Sequence, residues 1–159
     1  MPKHLYIIVK LFYIWLSTEH SRRRTMSQPT TLGIDHLGLS VRDLDASKAF
    51  FEKALGWTQF GGNPDYPSVY ITDGTSKITL WQCKGDVLTE FDRHKNVGLH
   101  HLALKVPTAD ALRAVYETVR SWPGVEIEFA PEFSGNGPKE HFIIYEPGGT
   151  RLEVSFDPR

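Results

Sequence analysis

Apolar and polar residues alternate in short runs along most of the chain, and twice the alternation gives way to helical spacing. In GIDHLGLSV (33–41), Leu37, Leu39 and Val41 alternate with His36, Gly38 and Ser40, the period of a half-buried strand. The next stretch, VRDLDASKAFFEKALGW (41–57), sets Leu44, Ala46, Phe50, Ala54 and Leu55 at three- and four-residue steps, with Asp43 or Asp45 as the cap of a helix. Extended segments follow in TQF, PSVYITDG and SKITLWQC, with Asp73-Gly74 as a hairpin turn. The series then recurs. GLHHLALKV (98–106) repeats the first strand 65 residues later, matching Gly33 with Gly98, His36 with His101, Leu37 with Leu102, Leu39 with Leu104 and Val41 with Val106. Thr108 caps a second helix carrying Leu112, Val115, Tyr116 and Val119, stopped by Pro123-Gly124. VEIEFA, HFIIYEPGG and TRLEVSF complete the copy, with Pro147, Gly148 and Gly149 at the turn. The pattern predicts an α+β fold of two βαβββ modules, 32–95 and 96–157, paired about a pseudo-twofold axis with curved mixed sheets around a cleft.

Residues 1–31 read as an extension outside that domain. LYIIVKLFYIWL (5–16) is apolar but about half the roughly 20 residues a membrane span needs, and the basic cluster Arg22-Arg23-Arg24 follows it rather than preceding it as in a secretory signal. Met26 is a candidate true start, and residues 1–25 are expected to contribute nothing to the fold.

Composition narrows the partners. The chain has 159 residues, 18 basic and 19 acidic, so it offers no net field for nucleic acid or an acidic membrane, and a small molecule is the expected partner. Cys83 is the single cysteine, which excludes an intrachain disulfide and a CxxC site and suits the cytoplasm.

Strand alternation places the candidate chemistry. His36 and His101 fall on the faces opposite their leucines, each beside a small residue, Gly38 or Ala103. In TRLEVSF, Glu153 likewise opposes Leu152, Val154 and Phe156. A carboxylate inside a cleft is costly unless compensated. Two imidazoles and one carboxylate form a set suited to Fe(II), Mn(II), Zn(II), Ni(II) or Co(II), with positions left for water and substrate. Trp81 shares the face of Thr79 and offers an aromatic wall, whereas Gln82 lies on the face of Ile78 and Leu80. His94 and His100 read as loop and packing residues.

Residues 32–157 resemble the vicinal oxygen chelate superfamily, the glyoxalase, bleomycin-resistance and dioxygenase fold. IDHLGLSV-x-DL-x-x-S-x-x-FF-x-x-x-LGW carries the resemblance in the first module, HHLALKV and EPGGTRLEV in the second. It implies metal ligands at His36, His101 and Glu153, substrate contacts at Thr79, Trp81, Tyr145 and Arg151, and a homodimer. Thr79 stands where glyoxalase I and related epimerases place Glu or Gln. Three ligands resemble instead the extradiol dioxygenases, with His141 as an acid or base alongside Glu153, although Ile143 occupies the position of their usual tyrosine. They also resemble the fosfomycin thiol transferases, for which FSGNGPKE (133–140) would supply Ser134 and Lys139 as an oxyanion loop. The alternatives within the family are a lyase or isomerase and a metal-free binding protein of the bleomycin-resistance kind.

Overall fold

Two successive strand-helix-strand units account for the described part of the chain, residues 29–159 of a computed structural model. The expectation for residues 1–25 lies outside the described residues. In the first module β1 (Leu37–Val41) leads into α1 (Leu44–Ala49), and β2 (Thr58–Asn63), β3 (Ser68–Thr72) and β4 (Lys77–Gln82) follow. In the second, β5 (Leu102–Lys105) leads into α2 (Ala109–Val119), then β6 (Glu126–Phe133), β7 (Glu140–Tyr145) and β8 (Arg151–Phe156). The sheets have orders β1-β4-β3-β2 and β5-β8-β7-β6, each with one parallel pair and two antiparallel pairs. The two sheets do not close into a barrel, and β1 and β5 each form an outer edge. Among the described residues no helix is long and apolar enough to cross a membrane.

Local chemistry fixes these elements. Asp43 accepts from Ala46 N at 2.9 Å and Thr108 accepts from Ala111 N at 3.0 Å, so each helix starts on a side-chain cap. Gln82 adds to the first cap, accepting from Leu44 N at 2.8 Å. Asp73 accepts from the amides of Thr75 and Ser76 and closes the β3–β4 hairpin. The first helix departs from regular spacing, since Phe50–Ala54 is a wider π-helical turn. Phe50 and Phe51, the first residues of that turn, are both fully buried.

The strand leucines meet the helices, as alternation predicts. Leu39, Val41, Ile78 and Leu80 of one sheet and Phe142, Ile144, Leu152 and Val154 of the other share a buried cluster with Phe50, Phe51, Leu112 and Val119. Phe50 also meets Trp122 edge-on at 6.2 Å, joining the helical layers of both modules. A polar joint accompanies this packing. The carboxyl of Glu146, 1% exposed, accepts from Ser47 Oγ (2.8 Å), Gly148 N (2.8 Å) and Thr150 N (2.9 Å), while Arg42 N donates to Gly148 O at 3.1 Å. Gly148 is required there by close approach, because a Cβ on it would stand 2.7 Å from that of Val41.

Candidate functional site

The repeated histidines stand one residue ahead of their strands rather than inside them. Pairing begins at Leu37 with Ile78 and at Leu102 with Leu152, so His36 and His101 occupy the strand starts. Each is joined by its preceding residue to the first residue of the neighbouring last strand. Asp35 takes His36 Nδ1 at 2.7 Å and Lys77 Nζ at 3.1 Å; His100 lies 2.7 Å from His101 Nδ1 and 3.4 Å from Arg151 Nη1. The repeat aligns Asp35 with His100, a signal that would have marked His100 as more than a packing residue.

Glu153 gathers the second module's candidates. It pairs directly with Ala103 on β5 and with Ile143 on β7, and only 7% of its side chain is exposed. His101 Nε2 lies 3.1 Å from Glu153 Oε2, while Lys139 Nζ (2.7 Å) and His141 Nδ1 (3.2 Å) meet Oε1. Burial works to raise the Glu153 pKa, but the hydrogen bond and charge of Lys139, helped by His141, outweigh it and hold the carboxyl below its ordinary value. Lys139 arrives there because Ser134 N donates to Lys139 O at 2.8 Å, closing the hairpin between β6 and β7. The 133–140 loop thus turns its lysine onto Glu153. His141 has Glu132 behind it, 3.8 Å from Nε2.

His101 and Glu153 suit a divalent ion as a pair. Two donor atoms about 2.1 Å from one ion and at a right angle lie about 3.0 Å apart, close to their separation. The other nitrogen of His101 is engaged by His100, the kind of outer contact that orients a metal-binding imidazole. If His101 donates through Nδ1, its Nε2 lone pair and the Glu153 oxygen converge as two donors. His36 does not join them. It is half exposed and bonded to Asp35, and among the described residues no three His, Cys, Asp or Glu side chains are arranged to hold a metal ion.

The other expected contacts divide between the modules. Thr79 and Trp81 are together, the indole donating to Thr79 Oγ1 at 2.9 Å over Gly38, where a Cβ would lie 3.3 Å from Thr79 Oγ1. Tyr66 and Tyr70 flank Trp81 at 5.1 and 6.3 Å, and Phe60 lies 6.1 Å from Tyr70, which makes an aromatic face. Arg151 and Tyr145 are cross-strand neighbours on the Glu153 face. Arg151 holds Glu128 through Nε (2.6 Å) and Nη2 (3.2 Å), and Arg93 Nη2 takes the same carboxylate at 3.0 Å. The Arg151 hydrogen bond keeps the Glu128 pKa low and overrides the opposing effect of burial, and Glu128 in turn raises that of Arg151. Desolvation and then the charges of Arg151, His101 and Arg93 lower the pKa of His100. Sequence reasoning missed Arg93 and Glu128.

Residues 33–154 match the family model of the Glyoxalase/Bleomycin resistance protein/Dioxygenase superfamily. No curated protein matches the chain in sequence. Among solved structures, a glyoxylase/bleomycin resistance protein/dioxygenase domain from Frankia sp. EAN1pec is similar at TM-score 0.68 and 22% identity, covering 79% of this chain and 92% of that one. The genomically encoded fosfomycin resistance protein FosX from Listeria monocytogenes gives TM-score 0.62 at 18% identity, over 79% and 93% of the two chains. Lactoylglutathione lyase from Agrobacterium tumefaciens gives 0.58 at 21%, over 80% and 95%. These likenesses carry the fold, and the sequence match together with the duplicated strand-helix framework places this chain in the Glyoxalase/Bleomycin resistance protein/Dioxygenase superfamily.

Proposed function

We propose that the chain is a metal-dependent enzyme that chelates a small substrate through neighbouring oxygens, with His101 and Glu153 holding the divalent ion and His36 of a second copy completing the set. The observation that carries this reading is the 3.1 Å convergence of His101 Nε2 and Glu153 Oε2, with the imidazole fixed through its other nitrogen. β1 and β5 each lie at one end of the hydrogen-bonded strand order, so a second copy that set one first strand beside the other would bring the histidines together, and Asp35 already orients the His36 ring. The ion would act as a Lewis acid on substrate oxygens. Beside it, His141, hydrogen-bonded to Glu153 through Nδ1, serves as the acid or base. The aromatic face around Trp81 favours a flat substrate, and extradiol-type cleavage of a catecholate is the reaction best served by a His/His/Glu set. The cytoplasm is the compartment this reading assigns.

One observation favours a second reading, a metal-free ligand-binding protein. The ammonium of Lys139, 2.7 Å from Glu153, already compensates that carboxylate. Titration with Fe(II), Mn(II), Ni(II) and Zn(II) separates the two. The enzyme reading expects one tight ion per chain, with affinity reduced on the order of 100-fold or more in His101→Ala, since even outer contacts of metal ligands are worth 10- to 100-fold. No stoichiometric metal under any condition, with catechol bound equally well in EDTA, would leave the second reading in its place.

A further inference from the structure

A separate cleft of about 310 Å³ lies where the modules meet, between β1, the 83–101 connection and the β7–β8 turn. Its size is within the range of small-molecule sites. Arg42, Arg93 and Arg151 line it together with His100 and Tyr145. Neither His101 nor Glu153 does.

Charge in this cleft is unbalanced. Arg42 has its own partner, Glu90, at 2.7 Å. Arg93 and Arg151 instead share one carboxylate, Glu128, so among the described residues the pair keeps one positive charge in excess. Their side chains are only 25% and 9% exposed, which makes an uncompensated cation costly. The geometry shows where a compensating anion would bind. With Nε and Nη2 of Arg151 and Nη2 of Arg93 taken by Glu128, each guanidinium has one Nη1 left with a long contact: Arg93 Nη1 is 3.5 Å from Tyr145 Oη, and Arg151 Nη1 is 3.4 Å from His100 Nδ1. The partners of both nitrogens, Tyr145 and His100, line the cleft.

The rest of the lining mixes Ser40, Thr89, Thr150 and the Arg42-paired Glu90 with an apolar part. Leu88, Phe91 and Leu99 are 40%, 47% and 43% exposed, an unusual grouping of large apolar side chains on one connection, and all three face this space. We infer that the cleft between the modules binds a small monoanion with an apolar body, its carboxylate or comparable oxyanion held by the Nη1 groups of Arg93 and Arg151 and its body by Leu88, Phe91 and Leu99. Arginine forks match planar oxyanions in this way. The site does not depend on a metal at His101 and Glu153.

Calorimetric titration of the full chain with benzoate, in EDTA, tests the inference. Benzyl alcohol serves as the uncharged counterpart, and Arg93→Gln removes the excess charge while leaving the Glu128–Arg151 pair intact. The expected result is saturable binding of one benzoate per chain, weakened about tenfold or more both by loss of the probe's charge and by Arg93→Gln, as charged hydrogen bonds require. Absence of saturable benzoate binding, equal binding of benzyl alcohol, or unchanged affinity in a folded Arg93→Gln protein would overturn it. Should the variant not fold, the comparison of the two probes on the unaltered chain decides.

Discussion

Replacing Glu146 with alanine is expected to destabilise the fold by about 3–5 kcal/mol. Its carboxyl is almost fully buried and accepts from the Ser47 hydroxyl and from the amides of Gly148 and Thr150. The alanine variant would leave all three donors without that acceptor and open a buried void. An unpaired buried polar group costs about 1–3 kcal/mol, and three together exceed the effect of an ordinary surface substitution severalfold. Because Ser47 belongs to α1 and Glu146 to the β7–β8 turn, the lost contact joins the modules rather than supporting one of them. Ser47→Ala removes one donor and leaves the two amide bonds, and should cost only about 1 kcal/mol. Equilibrium denaturation in urea measures both. A loss below about 1 kcal/mol for Glu146→Ala would mean that the joint contributes little beyond the apolar packing around it.

Substitution of His36 has its largest expected effect on metal affinity, on the order of 100-fold or more, although His36 touches neither His101 nor Glu153 within a chain. In a symmetric dimer each site would take His36 from one copy and His101 with Glu153 from the other. His36→Ala and His101→Ala proteins would then each lack a ligand in every site. Unfolding and refolding them together creates mixed dimers in which one of the two sites is whole, so about one quarter of sites should regain tight binding on random pairing. Recovery at that level assigns the set to two chains. No recovery, with both variants folded and dimeric, would exclude this exchange.

The duplicated framework was legible because each part of it leaves a local mark. The leucine alternation, the caps at Asp43 and Thr108 and the Asp73-Gly74 hairpin all stand where the pattern predicts, and Glu153 faces away from Leu152 and Val154. Alternation also grouped Thr79 with Trp81 and set Gln82 apart, and the structure keeps both distinctions. Other features depend on contacts that pattern does not encode. The π-helical turn at Phe50–Ala54 leaves no mark in the apolar pattern, and the strand starts were misplaced because pairing with β4 and β8 begins only after each histidine. Glu128 escaped notice because β6 shifts register twice along β7, which breaks the period that would assign it a face. Arg93 lies in the connection between modules, where no period exists. Lys139 reaches Glu153 through a hairpin closure rather than through strand alternation.

X-ray absorption spectroscopy of the chain loaded with one equivalent of Mn(II) or Zn(II) tests the proposed centre most directly, because it counts the imidazoles around the ion. Two imidazoles and oxygen ligands are expected in the unaltered protein, falling to one in either His36→Ala or His101→Ala. An ion surrounded by oxygen alone, or an imidazole count unchanged by both substitutions, would contradict a centre built on His36, His101 and Glu153.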